Sequence, residues 1–212
     1  MGEMRQNLAT KRWVIIATER AKRPHELAAD TPPITGDLPE WDPHCPFCPG
    51  NEEIDLEVMT IPAQGPWQTR VVRNRFPAVQ PAGKLSPGSF TPETIRPESA
   101  INVHALEPDN DHPFPRIFEG IYRQLPAVGY HEVVVESRRH NTCHALEAPT
   151  DIARMLDAFQ ARGRAIEQDA GIEHIIYFKN HGTRAGTSLM HPHTQLIGLP
   201  VVPYSIRSRV DE

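Results

Sequence analysis

Apolar positions recur along this chain with two different periods, and the periods mark out its elements. From Thr150 to about Ala170, the residues Ile152, Met155, Leu156, Phe159 and Ile166 fall at the three- and four-residue spacing that lines one face of an α-helix. Thr150 is placed to cap its start and Gly171 stands just past its end. Shorter β-branched runs at Arg12–Thr18, Thr69–Arg73 and Glu132–Glu136, each bounded by turn formers, predict strands. The consecutive valines in the last two predict burial on both faces or a central place in a sheet. Ile172–Phe178 and His191–Leu199 predict two further strands, joined by a Gly-containing loop over Lys179–Met190. Residues 25–50 and 80–118 are dense in Pro, Gly, Asp and Ser and read as surface connections, and there is no internal repeat. The expected fold is α+β, a mostly antiparallel sheet with at least one packed helix.

Composition narrows the class without naming a function. A length of 212 residues allows one substantial core or two small ones. The 22 prolines are about twice the usual share of roughly 5%, so much of the first half is extended or looped. Twenty-two basic residues against 27 acidic ones give a net charge of -5, which supplies no basic field for a nucleic-acid backbone or an anionic membrane. Any phosphate must therefore be bound locally. No apolar stretch is long enough to span a bilayer, and Met1–Arg5 precedes no apolar signal-like segment, so a cytoplasmic protein is expected.

Three cysteines suit a reduced compartment better than a disulfide framework. Two of them stand in Cys45-Pro46-Phe47-Cys48-Pro49-Gly50, a knuckle spacing that lets two thiolates reach one tetrahedral zinc. A redox pair would need a helix to start after the first cysteine, and Pro49-Gly50 argues against that. Buried, unliganded thiols are the remaining reading. Because Cys143 is the only other cysteine, a four-coordinate site has to be completed by distant histidines or carboxylates. Candidates cluster in Ser137–His144, where spacing alone does not choose between His140, Cys143 and His144.

The second candidate segment is His191-Pro192-His193-Thr194-Gln195. A neutral imidazole carries a lone pair on one nitrogen near pH 7 and can attack phosphorus directly. On a strand, His191, His193 and Gln195 would share one face, and Pro192 favours an edge or a strand start. Upstream, Asn180–Ser188 is a loop whose small residues allow backbone N–H groups to cradle an anion. It lacks the Gly-Lys-Ser/Thr ending of a P-loop. Taken alone, two histidines and such a loop are more often ordinary structure than catalysis.

Taken together, Arg20-Ala21-Lys22-Arg23-Pro24, Cys45-Pro46-Phe47-Cys48, Asn180–Ser188 and His191-Pro192-His193-Thr194-Gln195 resemble the galactose-1-phosphate uridylyltransferase family of the histidine-triad superfamily, in the family order and across nearly the whole chain. Leu199–Pro203 and Phe178-Lys179-Asn180 look especially like the family's plant branch, an ADP-glucose phosphorylase. The resemblance implies a histidine-triad-like fold and a zinc held by Cys45, Cys48, His140 and His191. His193 is the implied nucleophile, with Gln195 as its catalytic companion on the reacting phosphate. Asn180, Gly186, Thr187 and Ser188 are implied in the phosphate pocket, and Arg20, Arg23 and Asn74 in substrate binding.

The implied activity is transfer of UMP between UDP-glucose and galactose 1-phosphate through a covalent uridylyl-histidine, in galactose metabolism. The alternatives are an adenylyl-transferring ADP-glucose phosphorylase and a zinc-stabilised nucleotide-binding module without turnover. Hydrolytic members of the superfamily carry histidine where Gln195 stands, and an amide cannot titrate, which favours transfer. The implied partners are a nucleoside diphosphate sugar, a sugar 1-phosphate or inorganic phosphate, and a second copy in a homodimer, with neither nucleic acid nor membrane. Two departures bear on this. Asn74 is followed by Arg75 where the uridylyl branch has Asp, and residues 1–212 read as the amino-terminal domain without the second domain that family enzymes carry.

Overall fold

Two of the valine runs form the middle of a sheet. The computed structural model describes residues 2–22, 35–82, 117–119 and 122–210. In chain order its strands are β1 (Glu3–Gln6), β2 (Trp13–Ile16), β3 (Glu57–Ile61), β4 (Thr69–Arg73), β5 (Ile117–Glu119), β6 (Tyr122–Pro126), β7 (Tyr130–Val135), β8 (His174–Phe178) and β9 (His193–Leu199). The α-helices are α1 (Pro149–Ile166) and α2 (Tyr204–Val210). One sheet runs β3-β4-β7-β9-β8 and the other β2-β1-β6-β5, and all the strand pairs within them are antiparallel. The α+β expectation holds. Val133, Val134 and Val135 lie in the central strand β7 and are buried, as are Val71 and Val72 beside them in β4.

Register decides which side chains meet. Val135 pairs with His193, Val133 with Gln195 and His131 with Ile197, while Arg70 and Val72 pair with Val135 and Val133. Side chains alternate along a strand. Arg70 and Val72, His131, Val133 and Val135, and His193 and Gln195 therefore share one face. On the opposite face Val71, Val134 and Leu196 pack against Met155, Ala158 and Ile166 of α1. Each fully buried aliphatic side chain there contributes about 1.5–3 kcal/mol. A second core of Met4, Val79, Leu125, Ala127, Leu199 and Val201 takes in Ile176 and Ile197 from the five-stranded sheet. The smaller sheet thus covers one end of the shared face, and the His193 end borders a cavity.

The observed boundaries correct several expectations. Helix α1 starts at Pro149 rather than at a Thr150 cap: Pro149 takes the first position, and the Asp151 carboxylate accepts the Ala148 N–H at 3.2 Å. The helix stops at Ile166, and Leu156, placed on the apolar face by spacing, is exposed. β9 begins at His193, with His191 and Pro192 ahead of it, so His191 is not itself a strand residue. Pro192 stands just before the strand start, although β9 is interior and not an edge. Ile117 and Phe118 belong to β5 instead of a connection. Of the other connections, residues 23–34 and 83–116 lie outside the described residues. Strands β1, β3 and β6 and helix α2 were not expected. In β1, Met4 is the only apolar residue of four, so the strand is specified by its pairing to β2 and β6.

Glu132, buried on the helix-facing side of β7, receives two hydrogen bonds of 2.7 Å from Arg162 of α1. This pair clamps the helix to the central strand, and the bond raises the Arg162 pKa above its ordinary value. Removing one partner strands a buried carboxylate, at a cost of about 3–5 kcal/mol. Arg162→Ala is expected to destabilise the fold by that amount, and Glu132→Leu combined with Arg162→Leu by clearly less, as read from urea denaturation midpoints.

Candidate active site and metal centre

The knuckle predicted from Cys45 and Cys48 forms a tight turn. Cys48 N–H donates to the Cys45 carbonyl at 3.2 Å, and the Asn51 amide donates to the Cys45 and Asp42 carbonyls at 2.9 and 3.0 Å. The turn faces His140 and His191. The four potential ligand atoms lie within 4.8 Å of one another, and all four residues are buried. Cys48 Sγ is 3.6 Å from the Nδ1 atoms of both histidines. Tetrahedral bonds of about 2.0 Å to nitrogen and 2.3 Å to sulfur would put ligand atoms roughly 3.3–3.8 Å apart.

The tautomer also fits. His191 Nε2 donates to the Ser137 carbonyl at 2.8 Å, which leaves the Nδ1 lone pair toward the cluster. Burial pushes the Cys45 thiol up to about 12 and the His191 imidazole down to about 3. Burial likewise lowers His140, partly opposed by Asp42. Both histidines are thus held neutral, the form that ligates a metal, and a bound cation would favour the thiolate that burial disfavours at Cys45. Among the three candidates in Ser137–His144, His140 joins the cluster. His144 Nε2 instead lies 2.8 Å from the Glu136 carboxylate, and Cys143 is a half-buried free thiol.

His193 follows directly. Its Nδ1 donates to the His191 carbonyl at 2.8 Å, and a carbonyl can only accept, so the neutral ring keeps its proton on Nδ1 and its lone pair on Nε2. Phe47 of the knuckle packs edge-on against His193 and His191, with ring centroids 5.5 and 6.0 Å away. His193 lines a cavity of about 570 Å³ with Gln195, Asn74, Arg75, Arg70 and Ser188. A small cleft beside it is lined by Asn180 and Thr187. Gly182 and Gly186 have φ of 76° and 77°, and an added Cβ would meet nothing within 4 Å at either, so the loop needs glycine for its backbone turn and not for space.

The remaining expected residues divide. Gly186 lines neither the cavity nor the cleft, and the Thr187 hydroxyl is spent within the loop, donating to the Leu189 carbonyl at 3.1 Å. Asn74 lines the cavity, but its Oδ1 accepts the Phe76 N–H at 2.9 Å and its Nδ2 faces Gln195 Oε1 at 3.4 Å. Arg20 reaches the same segment, donating to the Phe76 carbonyl at 2.6 Å. Arg23 lies outside the described residues. Arg75 pairs with Glu53 at 3.0 Å.

A family model described as galactose-1-phosphate uridyl transferase, N-terminal domain, matches residues 1–203. The chain belongs to this family. It is 34% identical to an ADP-glucose phosphorylase of Arabidopsis thaliana, over 99% of this chain and 52% of that protein. It is 24% identical to a galactose-1-phosphate uridylyltransferase of Thermotoga maritima, over 99% and 50%. A crystal structure of an Arabidopsis thaliana ADP-glucose phosphorylase with bound ADP-glucose matches with a TM-score of 0.57 at 31% identity, covering 100% of this chain and 53% of that one. The chain spans about half the length of the curated relatives it matches.

Family motifs led the sequence reading to His191, His193 and Gln195, but not to the residues that support them. Arg70 is buried, donates to the Pro46 carbonyl at 3.2 Å and lies over Trp67. Lys179 Nζ bonds both Glu136 carboxylate oxygens at 2.6 and 2.7 Å and lies 3.4 Å from the His193 carbonyl. His131 contacts Gln195 at 2.9 Å. Arg70 and Glu136 showed only as charged residues in the predicted Thr69–Arg73 and Glu132–Glu136 runs, Lys179 stood in the Phe178-Lys179-Asn180 stretch without a role, and His131, one residue before the second run, gave no signal.

The four-residue cluster predicts one zinc per chain, measured by metal analysis of the purified protein. Cys48→Ser and His191→Ala are each expected to lower that stoichiometry well below one, and Cys143→Ser to leave it unchanged.

Proposed function

We propose that this chain carries the nucleophilic half of a nucleotidyl transfer between a nucleoside diphosphate sugar and a phosphate acceptor. The observation that carries the reading is the Nδ1 bond of His193 to the His191 carbonyl, which presents the Nε2 lone pair on the side chain that borders the cavity. His193 Nε2 attacks the nucleotide phosphorus, the P–O bond to the second phosphate breaks, and the sugar 1-phosphate leaves. A phosphate oxygen of the acceptor then attacks the same phosphorus and breaks the P–N bond. Transfer to phosphate, and not hydrolysis, fits Gln195, which has no proton to lose and acts only through hydrogen bonds.

Zinc suits the two thiols and two imidazole Nδ1 atoms of Cys45, Cys48, His140 and His191. It would supply structural constraint there. His191 would hold it by its ring while its carbonyl fixes the nucleophile's tautomer.

For the nucleotide, we favour an adenylyl group carried from ADP-glucose, with phosphate as acceptor. The 34% identity to the plant ADP-glucose phosphorylase supports this, as does the 31% match to a structure of such an enzyme with ADP-glucose bound. Arg75, a donor-only side chain tied to Glu53, stands where the uridylyl branch has an acceptor. Transfer of UMP from UDP-glucose to galactose 1-phosphate is the second reading, supported by the family model over residues 1–203 and by the Thermotoga maritima relative.

Incubation with ADP-glucose or UDP-glucose followed by intact-mass and peptide mass spectrometry separates the two. An AMP adduct on His193 is expected, a UMP adduct would establish the second reading, and no adduct with either would reject both for this chain. His193→Gly should abolish the adduct and leave zinc bound. Loss of zinc in that variant would mean that the roles of His191 and His193 are exchanged.

A further inference from the structure

His131 stands in the central strand β7, buried, on the same face as His193 and Gln195. Its two ring nitrogens meet different partners. The backbone N–H of Ala78, which can only donate, lies 2.9 Å from Nδ1, so Nδ1 accepts and carries no proton. The ring proton is then on Nε2, and Nε2 lies 2.9 Å from Gln195 Oε1. The Asn74 amide obeys the same logic. Its Oδ1 accepts the Phe76 N–H at 2.9 Å, so its Nδ2 is the end that faces Gln195 Oε1, at 3.4 Å. Two donors, themselves 3.0 Å apart, thus converge on one oxygen of Gln195.

An amide side chain has two ends of nearly the same shape and opposite hydrogen-bonding character. With its oxygen held by His131 and Asn74, Gln195 has one orientation left. His131 pairs across the sheet with Ile197, one pleat beyond Gln195 on the side away from His193. The oxygen is therefore turned from the nucleophile, and the NH2 group remains on its side. The reversed amide would aim a carbonyl oxygen at an anionic phosphoryl group, an acceptor against an acceptor.

We infer that His131 is a positioning residue which, as the Nε2–H tautomer set by the Ala78 N–H, locks the Gln195 amide with its NH2 group toward the phosphoryl group transferred at His193. The inference rests on the proposed role of His193. It goes further in assigning a specific function to a buried histidine two pleats from the nucleophile.

Two measurements test it, one of them independent of turnover. Long-range proton–nitrogen NMR of the resting, ring-labelled protein should show His131 as the Nε2–H tautomer, and an Nδ1–H tautomer would overturn the inference. In the second, the rate of nucleotidyl-adduct formation is followed at saturating ADP-glucose or UDP-glucose, with binding measured separately. His131→Phe should slow the step roughly 10- to 100-fold with nucleotide-sugar binding changed less than about threefold, the scale expected when a supporting contact is lost. His131→Gln puts an amide nitrogen near the position of Nε2 and should recover most of the rate. His131→Asn, which can replace only the Nδ1 acceptor, should not.

Equal losses in the Gln and Asn variants would reduce His131 to a packing residue and overturn the inference. If His131→Phe does not fold, as judged by circular dichroism and zinc content, the Gln and Asn pair still decides the matter. If the unaltered chain forms no adduct with either sugar nucleotide, it is the proposed function that fails, and the tautomer measurement still decides whether the lock exists.

Discussion

The ring of His191 is fully buried and its two nitrogens face opposite ways: Nε2 gives its proton to the Ser137 carbonyl, and Nδ1 faces the two cysteines and His140. Its own carbonyl takes the Nδ1 proton of His193. One residue therefore joins the Cys45–Cys48–His140–His191 cluster to His193 through a covalent backbone and a single hydrogen bond. Neither end tolerates much movement. Tilting the His191 ring loses the Ser137 bond, and rotating its peptide releases the His193 tautomer. Pro192 between them has no N–H to pair, and its carbonyl accepts the Glu136 N–H at 3.2 Å, which ties the segment to the end of β7 before β9 begins.

Placing such a constraint in the middle of a sheet has consequences for both faces. β7 and β9 are interior strands, so Gln195 sits on backbone paired on both sides, while His193 pairs with Val135 of β7 and has its carbonyl 3.4 Å from Lys179 Nζ. That rigidity suits the role proposed for His193, in which its approach to phosphorus would have to be accurate to a fraction of an ångström. One face must then be apolar and covered, and α1 covers it with Met155, Ala158 and Ile166. On the other face the smaller sheet covers the Ile197 end, and among the described residues the His193 end borders the cavity. Strand alternation enforces this division: shifting β9 by one residue would send His193 and Gln195 toward the helix and Leu196 toward the cavity.

Much of this was legible in the sequence because it rests on local signals. The valine runs marked β4 and β7, helical spacing marked α1, and the cysteine knuckle with the His-Pro-His-Thr-Gln segment marked the chemistry. Choosing His140 over His144 and Cys143 was beyond spacing and came from the family likeness. What stayed illegible depends on pairing partners far away in the chain. β1 shows one apolar residue in four and exists because β2 and β6 flank it. Leu156 obeys the helical period but falls on the outer edge of the apolar stripe and stays exposed. His131 looked like one of eleven histidines until the register brought it beside Gln195.

The ion group around Glu136 shows why the loop ahead of His193 holds its place with little packing of its own. Glu136 is buried at the end of β7, and a buried carboxylate without partners would cost several kcal/mol. Lys179, at the end of β8, meets both its oxygens, and His144, from the turn before α1, meets one of them. The same Lys179 lies 3.4 Å from the His193 carbonyl. The end of β7, the turn before α1 and the residue after β8 thereby converge on one charge at the point where the Asn180–Ser188 loop departs. Satisfying that charge fixes the root of the loop, and the positive-φ glycines at 182 and 186 then set its course back to His191. A loop fixed in this way lines the small cleft beside His193 with Asn180, Gly182 and Thr187 and does so without an apolar core of its own.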